Sequence, residues 1–349
     1  MNNLSMEYQF TDKVVLVTGG TGSIGSEIVA QLLRSGVRQV RVFSRDETKQ
    51  FELAHRLGGD SKLRFLIGDV REKERLAMAM EGADIVFHAA AMKHVVSCEL
   101  NPFEAVKTNV GGTQNVIECA LKHDVEKVIS VSTDKAADPT NVMGCTKLLA
   151  ERLILSTYFY KGRKRTKFSC VRFGNVLGSR GSVVPLFLKQ IKAGGPLTLT
   201  DPRMTRFFMS VRQAVQLMFQ AVTLMKGHEI FILKMPVATI GDLANAMIGI
   251  IKGAGYSIEN FPVRIVGKRA GEKQHEKLLT LDEAESALER EDMFIIRPNV
   301  KFEIFQDFAP ETYADSRPAE VRVYSSEHVL PLSLDKVRQM ILSIPEVDL

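Results

Sequence analysis

The chain contains few cysteines and no long apolar run. Successive cysteines lie at least 21 positions apart in the sequence, and they form neither a CxxC pair nor a metal-ligand cluster. This spacing predicts isolated, reduced thiols at Cys98, Cys119, Cys145 and Cys170. No stretch of about 18 apolar residues is present, so no transmembrane helix is expected. The first residues lack the charged-then-apolar pattern of a signal peptide, and we therefore expect a cytoplasmic protein.

Neither sign of charge dominates the sequence. The 349 residues include 46 Lys and Arg against 41 Asp and Glu, which gives a formal net charge of +5. Because the basic residues are scattered, this excess suits anionic small ligands and argues against a nucleic-acid-binding protein. A hydrophobic content of 45% and a charged content of 25% are ordinary for a soluble globular protein.

The first 130 residues alternate short β-branched runs with amphipathic stretches. We predict strands over residues 14–18, 40–43, 64–67, 85–88 and 128–132, and helices over residues 26–35, 48–57 and 113–122. Strands that alternate with helices at this spacing are typical of an α/β fold with a doubly wound parallel sheet. We expect one large domain over residues 1–175, joined by crossing segments from about 207–240. A smaller C-terminal α/β substrate-binding region is expected over residues 176–349.

A glycine-rich turn directly follows the first strand. Gly19, Gly22 and Gly25 have the spacing GxxGxxG between a predicted strand and a predicted helix. The glycines permit a tight turn, close approach of the backbone to a pyrophosphate and close packing of helix on strand. The helix N-terminus adds free N–H groups. The pattern predicts a Rossmann-type dinucleotide site that includes Gly19, Thr21, Gly22, Ser23, Ile24 and Gly25.

The end of the second strand bears on the choice of dinucleotide. Ser44, Arg45 and Lys49 form a plausible clamp for the 2′-phosphate of NADP, although Asp46 could face the ribose of NAD instead. Residues after the third and fourth strands are candidates for further cofactor contacts, with Asp69 able to accept from the adenine amine. These candidates are Asp69, Val70, Ala89, Ala90 and Ala91.

Candidate catalytic residues follow the fifth strand. Thr133, Asp134 and Lys135 lie where ligands bind in such sheets, and Lys147 follows at a helical position. Short-chain dehydrogenase/reductase enzymes carry Tyr-x-x-x-Lys here, but Met143 occupies the Tyr position and cannot transfer a proton. Either the chain is a non-catalytic dinucleotide-binding protein, or Asp134 and Lys135 perform the acid–base chemistry.

Several motifs resemble the extended short-chain dehydrogenase/reductases that act as UDP-N-acetylglucosamine 4,6-dehydratases. The branch most similar is that of the capsule-type dehydratase/5-epimerases, some of which also carry Met at the Tyr position. The resemblance covers about residues 11–280. It rests on residues 18–25, 43–47 and 89–95, on Thr133–Ala136 with Met143-x-x-x-Lys147, and on residues 172–176, 178–185, 200–207 and 267–273.

The resemblance implies a closed redox cycle on UDP-N-acetylglucosamine with tightly held NADP. Hydride leaves carbon 4, water is lost across carbons 5 and 6, and the hydride returns to carbon 6. Asp134 is then the acid that expels water, Lys135 the base at carbon 5, and Thr133 a partner of the 4-oxygen. Lys147 binds the nicotinamide ribose. With Met143 in place of Tyr, Asp134 or a water is expected to take the 4-hydroxyl proton, and inversion or retention at carbon 5 stays open.

The resemblance also implies a substrate half. Arg180, Lys189 and Arg206 are expected around the UDP phosphates, with Arg269 and Glu272 closing from the C-terminal region. Lys93 is expected to face the sugar. Asn175 is the expected diphosphate or sugar contact, and the uracil is expected against Gly181, Ser182, Val183 and Pro185.

Two other functions stay open from the sequence. A nucleotide-sugar 4-epimerase or reductase needs no acid at carbon 6, so Asp134 and Lys135 disfavour it. A non-catalytic NADP-sensing protein has no reason to keep those side chains together with Lys147. His275-Glu276 suggests a metal pair but lacks the second histidine of a zinc helix, so we expect no metal site. The resemblance further suggests a homo-oligomer.

Overall fold

The computed structural model of the protein describes residues 9–253, 261–298, 313 and 315–344. Parts of the expected substrate-binding region therefore lie outside the described residues. The described strands are β1 (Val14–Thr18), β2 (Gln39–Ser44), β3 (Leu63–Ile67), β4 (Ile85–His88), β5 (Lys127–Val131), β6 (Lys167–Arg172), β7 (Asn175–Val176), β8 (Leu197–Leu199), β9 (Thr205–Met209), β10 (Ile230–Leu233), β11 (Val237–Thr239), β12 (Val263–Ile265), β13 (Lys277–Leu279), β14 (Ala287–Glu289), β15 (Met293–Ile296), β16 (Arg317–Pro318) and β17 (Tyr324–Ser325).

The described helices alternate with these strands in the first half of the chain. A π-helical turn, Val106–Gly111, joins the fifth and sixth helices. The helices are α1 (Ser23–Leu33), α2 (Glu47–Arg56), α3 (Lys73–Met80), α4 (Val95–Leu100), α5 (Pro102–Ala105), α6 (Gly112–Lys122), α7 (Val142–Ser156), α8 (Val183–Lys192), α9 (Val211–Leu224), α10 (Ile240–Gly253), α11 (Leu281–Ala284) and α12 (Leu334–Leu342). None of the described helices is long and apolar enough to cross a membrane.

A ten-stranded sheet forms the centre of the molecule. Its order is β16-β14-β15-β10-β6-β5-β4-β1-β2-β3. The seven strands from β10 to β3 run parallel, and β15, β14 and β16 extend the sheet in antiparallel fashion. All residues of β1 and β4 are buried, as expected for strands covered by helices on both faces. The predicted doubly wound α/β sheet is confirmed.

The strand order creates the crevice in which a ligand can bind. From β1 the chain adds β2 and β3 on one side, and it then crosses back to add β4, β5 and β6 on the other side of β1. In open α/β sheets, such a switch point leaves a crevice outside the carboxyl ends of the strands. The predicted first helix was placed too late, because α1 begins at Ser23, directly after the extended Gly22. Its N-terminus is therefore inside the glycine-rich turn.

Two large hydrophobic clusters support the described part of the chain, beside a small third one of Cys98, Ala105 and Met143. The larger surrounds the ten-stranded sheet and includes α9, which packs beside α1. The smaller joins α8, α10 and α12 around residues such as Phe187, Met247 and Ile341. Strand β10 lies within the expected crossing segment, and β14 to β16 also join the main sheet. The domain boundary near residue 175 stays a prediction.

A fully buried arginine connects both parts of the chain. Arg172, the last residue of β6, donates from Nε and Nη2 to the carboxylate of Glu151, at 3.0 and 2.7 Å. Nη1 and Nη2 each donate to Glu283 at 2.9 Å, and Nη1 also donates to the Leu278 carbonyl at 2.9 Å. The guanidinium thereby fixes α7 and α11 to the carboxyl end of β6.

A buried histidine should make folding stability depend on pH. Burial lowers the pKa of His88 to about 3, and its ring nitrogens hydrogen-bond to Thr18 Oγ1 at 2.7 Å and Thr113 Oγ1 at 3.2 Å. The unfolded chain binds one more proton than the folded chain between about pH 3 and the ordinary histidine pKa near 6.5. The stability contributed by neutral His88 is present above that pKa and falls with decreasing pH, by up to about 1.4 kcal/mol per pH unit.

Denaturant unfolding of a His88→Asn variant between pH 4 and 7 checks this effect. The variant should be less stable at pH 7, because Asn fills the space poorly, but its stability should fall less steeply toward pH 4. Exposed His328 offers the control His328→Asn, for which the wild-type slope is expected. An unchanged slope in the His88 variant would contradict the assignment.

Candidate active site

One cavity of about 1150 Å³ extends along the carboxyl ends of the parallel strands. It is lined by most of the residues singled out from the sequence. Those lining it are Gly19, Thr21, Gly22, Ser23, Ile24, Gly25, Ser44, Arg45, Lys49, Asp69, Val70, Ala89, Ala90, Ala91, Lys93, Thr133, Lys135, Lys147, Asn175, Arg180, Gly181, Ser182, Val183, Arg206, Arg269 and Glu272. Asp134, Pro185 and Lys189 do not line it. The cavity thus brings together residues from both parts of the sequence.

The glycine-rich turn forms one end of the cavity. Gly19 has a φ of +66° and its N–H donates to the Phe43 carbonyl at 2.8 Å. A Cβ at this position would lie 2.7 Å from the Ala90 nitrogen, so only glycine allows the turn to contact the end of β4. Gly22 is the N-cap of α1 and makes no side-chain capping hydrogen bond. The first N–H groups of α1 are therefore available to an anion.

The residues after β2 are held by carboxylates. Arg45 Nη1 lies 3.3 Å from Asp69 Oδ2 and is largely exposed. Lys49 forms an ion pair with Asp46, whose Oδ1 also caps α2 by accepting from the Lys49 N–H at 3.0 Å. Ser44 Oγ accepts from Thr21 Oγ1 at 3.1 Å. Three polar side chains thus line the cavity beside the phosphate-binding turn, with both cations accessible to solvent.

Asp69 makes more protein contacts than the sequence predicted. It accepts from the Arg71 N–H at 3.0 Å and from Arg71 Nε and Nη2 at 2.9 and 2.6 Å. Burial opposes its ionisation, but the hydrogen bonds from Arg71 and the charge of Arg45 outweigh burial and lower the pKa of Asp69. The predicted adenine contact stays a prediction.

A carboxyl and an amine lie directly after β5. Thr133 caps the short turn Asp134–Ala136 and its Oγ1 donates to Asp134 Oδ1 at 2.8 Å. The same oxygen accepts from Lys135 Nζ at 3.0 Å. Asp134 has no exposed surface, and its Oδ2 has no hydrogen-bond partner among the described residues. Asp134 therefore lies behind Lys135, which lines the cavity.

Glu276 is the functional candidate that sequence reasoning missed. Its carboxyl lines the cavity and its Oε1 lies 3.4 Å from Lys135 Nζ. The sequence drew attention to His275-Glu276 only as a metal pair. No local signal could connect Glu276 with Lys135, because the two residues lie far apart in the chain and meet only when the C-terminal region folds across β5.

The pKa values of Lys135 and Glu276 are both raised, but for different reasons. Burial disfavours the Lys135 ammonium, but the charges of Asp134 and Glu276 outweigh burial and raise the pKa of Lys135. Burial also raises the pKa of Glu276, against the opposing charge of Lys135. An amine that holds its proton thus lies beside a carboxyl that is reluctant to ionise.

Lys147 and Met143 lie one turn apart on α7. Burial lowers the pKa of Lys147, and its Nζ donates to the Val131 carbonyl at 2.6 Å. Met143 is buried, yet it lines the cavity at the predicted Tyr position. Beside them, the buried hydroxyl of Ser132 lines the cavity without a hydrogen-bond partner among the described residues.

Residues 269–276, here called the strap, cross over the cavity. The Gly271 carbonyl accepts from Thr140 Oγ1 at 2.8 Å and from Asn141 Nδ2 at 3.1 Å. Lys273 Nζ donates to the Ala137 carbonyl at 2.7 Å. These contacts attach the strap to the segment between Asp134 and α7, and they bring Arg269, Glu272 and Glu276 to the cavity.

Arg206 holds the other side of the strap. Its Nη1 donates to the Gln274 carbonyl at 3.0 Å and its Nη2 to the Lys273 carbonyl at 2.9 Å. Its Nε lies 3.7 Å from Glu276 Oε1. The expected contact of Arg206 with UDP phosphates stays a prediction, but the structure gives this buried guanidinium a second role in fixing the strap.

The segment before α8 crosses to the glycine-rich turn. Arg180 donates from its backbone N–H to Ser23 Oγ at 3.0 Å and from Nη2 to the Thr21 carbonyl. Ser182 is the N-cap of α8, and its buried hydroxyl has no partner among the described residues. Pro185 and Lys189 lie one turn apart on α8 and outside the cavity. Val184 and Ile191 of this helix pack into the smaller hydrophobic cluster.

This site belongs to a known class of nucleotide-binding α/β proteins. Residues 15–298 match the family model described as polysaccharide biosynthesis protein. Since this match covers well over half of the chain, the protein belongs to that family. This match and the relatives described next together confirm the resemblance to extended short-chain dehydrogenase/reductases of the 4,6-dehydratase type.

Three curated relatives cover most of the chain. A UDP-N-acetylglucosamine 4,6-dehydratase (inverting) of Campylobacter jejuni is 44% identical over 84% of this chain and 85% of its own length. A UDP-glucose 4-epimerase of Rickettsia rickettsii is 39% identical over 97% of this chain and 98% of its own. A protein of Methanocaldococcus jannaschii, described as an uncharacterized membrane protein, is 56% identical over 83% of this chain and 87% of its own.

Two solved structures show the same architecture. Pen from Bacillus thuringiensis superposes with a TM-score of 0.89 at 46% identity, and covers 95% of this chain and 98% of its own. DesIV, a dTDP-glucose 4,6-dehydratase from Streptomyces venezuelae solved with NAD and TYD, gives a TM-score of 0.67 at 24% identity. It covers 75% of this chain and 86% of its own, and supports the fold alone.

Proposed function

We propose that this protein is an NADP-dependent lyase that converts UDP-N-acetylglucosamine into a UDP-4-keto-6-deoxy-hexosamine. The product would enter the synthesis of a surface polysaccharide or glycan. The observation that carries the proposal is the contact between Asp134 and Lys135, with Nζ 3.0 Å from Oδ1, at the wall of a cavity that begins in a dinucleotide-type turn. The 44% identity to the Campylobacter dehydratase supports the same reaction.

The residues at the β1 end of the cavity fit a nicotinamide dinucleotide. The uncapped N-terminus of α1 and the glycine at position 19 suit a pyrophosphate. Ser44, Arg45 and Lys49 would hold the 2′-phosphate of NADP, for which Arg45 and Lys49 would exchange their present carboxylate partners. When bound, the dinucleotide supplies a hydride acceptor at carbon 4 and a hydride donor at carbon 6. Lys147 would bind the nicotinamide ribose.

The part of the cavity beside the start of α8 fits a nucleoside diphosphate. The N-terminus of α8 lies there, and the Ser182 hydroxyl has no partner among the described residues. The free N–H groups of a helix N-terminus suit a diphosphate. Arg180 and Arg269 would add positive charge, and Asn175 and Lys93 would contact the sugar. Arg180 also bonds to the phosphate-binding turn, so it would lie between the two nucleotides.

Asp134 and Lys135 provide the proton transfers of water loss. A 4-keto group acidifies the hydrogen on carbon 5, so Lys135 can remove it when its amine is neutral. Asp134 would donate to the departing 6-hydroxyl in its protonated form, once the Lys135 side chain that covers it has moved aside. Thr133 would hydrogen-bond the 4-oxygen. Because the Met143 side chain has no ionisable group, Asp134 or a water would take the proton of the 4-hydroxyl. The stereochemistry at carbon 5 stays open.

A nucleotide-sugar 4-epimerase is the second candidate. The Rickettsia epimerase matches 97% of this chain, which is a longer match than that of the dehydratase. An epimerase exchanges hydride at carbon 4 alone and leaves the 6-hydroxyl in place. It therefore has no use for a buried acid–amine pair, and the Asp134–Lys135 contact favours dehydration.

Replacing the proposed acid separates the two candidates. Asp134→Asn should lower the rate of water loss by about 100-fold or more, because an amide cannot donate the proton. Cofactor binding should be unchanged. The measurement is product formation by proton NMR together with cofactor affinity by calorimetry. Unchanged turnover would contradict the acid assignment, whereas loss of both turnover and cofactor affinity would indicate a structural role.

Replacing the proposed clamp residue tests the cofactor. Arg45→Ala should weaken binding of NADP by about tenfold, which corresponds to about 1.4 kcal/mol, and should affect NAD much less. Arg56, exposed in the last turn of α2, provides the control Arg56→Ala. Calorimetric titration with both dinucleotides gives the ratio of affinities. Equal losses for NADP and NAD would contradict the clamp.

A further inference from the structure

Cations that are far apart in the sequence come together on the side of the sheet opposite the cavity. The central strands run parallel, so their amino ends lie on one side and their carboxyl ends, which line the cavity, on the other. The cations on the amino-terminal side, here called the basic rim, are Lys13 before β1, Lys127 at the start of β5, Lys167 at the start of β6, Lys226 before β10, and Lys161, Arg163, Lys164 and Arg165 in the segment before β6.

The lysines of the basic rim are close enough to affect one another. Burial lowers the pKa of Lys127. The charges of Lys167, Lys13 and Lys226 lower this pKa further, because neighbouring like charges disfavour the ammonium form, while Glu126 opposes them. Residues that the sequence scatters are therefore gathered by the fold into one positively charged surface.

Carboxyl groups neutralise only part of this charge. Glu126 lies 2.8 Å from Lys13 Nζ, and Asp124 lies 3.3 Å from Arg165 Nε. Glu229 has no exposed surface and accepts from N–H groups of its own loop. The carboxyl-bearing residues beside the rim are Asp12, Asp84, Asp124, Glu126 and Glu229. They are fewer than the cations, so the rim keeps a net positive charge.

Residues 161–165 form an exposed turn in the rim. The Lys164 N–H donates to the Lys161 carbonyl at 3.2 Å, and Gly162 between them has a φ of +58°, which glycine adopts without strain. Arg163 and Lys164 are exposed, and neither forms a salt bridge with a described residue. These two cations are therefore available to an external anion.

Two exposed aromatic rings adjoin this turn. Phe159 and Tyr160 are 59% and 52% exposed. Phe159 lies edge-on beside Tyr158, with ring centroids 5.9 Å apart, and the Tyr160 hydroxyl donates to the Leu153 carbonyl at 3.2 Å. Apolar ring surface and unneutralised positive charge thus occur together on the same side of the molecule.

We propose that the basic rim binds the surface of an anionic lipid bilayer, with its cations on lipid phosphates and the rings of Phe159 and Tyr160 in the headgroup region. The cations come from the starts of neighbouring strands, so they suit a broad, multiply charged surface better than one small anion. Aromatic side chains favour the membrane–water interface. The cavity would face away from the bilayer and stay open to ligands. This proposal does not depend on the proposed function.

A nucleic acid is the other polyanion that can contact cations and aromatic rings. Stacking of a base between the rings is disfavoured here, because Tyr158 and Phe159 already contact each other edge-on. The structure therefore favours the lipid surface, and competition with RNA separates the two partners.

Sedimentation of the full-length protein with lipid vesicles tests the proposal. Vesicles of equal parts phosphatidylglycerol and phosphatidylcholine should bind the protein at low salt, whereas vesicles of pure phosphatidylcholine should not. Raising the salt to about 0.5 M should weaken the binding at least about tenfold, because salt screens exposed charges. A protein that stays in the supernatant with the anionic vesicles at low salt would overturn the proposal.

Replacing the two cations of the turn tests the site. Arg163→Gln combined with Lys164→Gln should weaken vesicle binding about 25-fold, because each cation near an anionic surface contributes about fivefold. The control combines Lys252→Gln and Lys336→Gln, which remove two exposed cations from α10 and α12 and should leave binding unchanged. Equal weakening in both double variants would show attraction by net charge alone and contradict the basic rim.

Replacing an exposed ring tests the apolar contribution. Phe159→Ser should weaken vesicle binding about tenfold, since burial of the ring in the headgroup region is lost, and should leave the salt dependence unchanged. The thermal unfolding midpoint shows whether the variant is folded, and Tyr160→Ser replaces it if Phe159→Ser is destabilised. Wild-type binding by the folded variant would contradict insertion of the ring.

Competition identifies the polyanion. A single-stranded oligoribonucleotide or inorganic phosphate, added at the phosphate concentration of the vesicle surface, should leave most of the protein on the vesicles. Displacement by the RNA, with RNA binding lost in the double variant of Arg163 and Lys164, would overturn the lipid surface in favour of a nucleic acid. Displacement by inorganic phosphate would indicate a site for a free anion and would also overturn the proposal.

Discussion

The arrangement of the site depends on one buried guanidinium. Arg172 has no exposed surface, and Glu151, Glu283 and the Leu278 carbonyl surround it with hydrogen bonds. Removing one partner of such a buried pair leaves an uncompensated charge, which typically costs about 3–5 kcal/mol. Because Glu151 lies one turn after Lys147 on α7, and Leu278 follows closely on Glu276, the same contact sets the distance between the two sides of the cavity.

Both parts of the chain line the cavity, and the strap is a contribution of the C-terminal part. Arg206 donates hydrogen bonds to two of the strap's carbonyls. Thr140, Asn141 and Lys273 attach the strap to the segment before α7. Through these bonds Glu276 approaches the residues after β5. The sheet alone would provide a dinucleotide site with an aspartate and a lysine at its edge. The strap adds the second carboxyl, that of Glu276, 3.4 Å from Lys135 Nζ.

Sequence reasoning recovered what local patterns encode. The strands β1 to β5, the glycine-rich turn and the positions of Thr133, Asp134, Lys135 and Lys147 follow from periodicity and from motifs only a few residues long. Glu276 and the role of Arg206 in fixing the strap could not be predicted, because they arise from contacts between distant segments. Pro185 lay within a matching motif and Lys189 four residues beyond it, but neither residue lines the cavity.

The central claim is that Asp134 and Lys135 remove water from a nucleotide sugar. It is tested most directly by incubating the protein with NADP and UDP-N-acetylglucosamine in deuterated water and following proton NMR spectra. Our account predicts a new 6-methyl signal with deuterium at carbon 5, and the ring couplings would then report inversion or retention. A change of configuration at carbon 4 without a methyl signal, or an unchanged sugar in the presence of bound NADP, would contradict it.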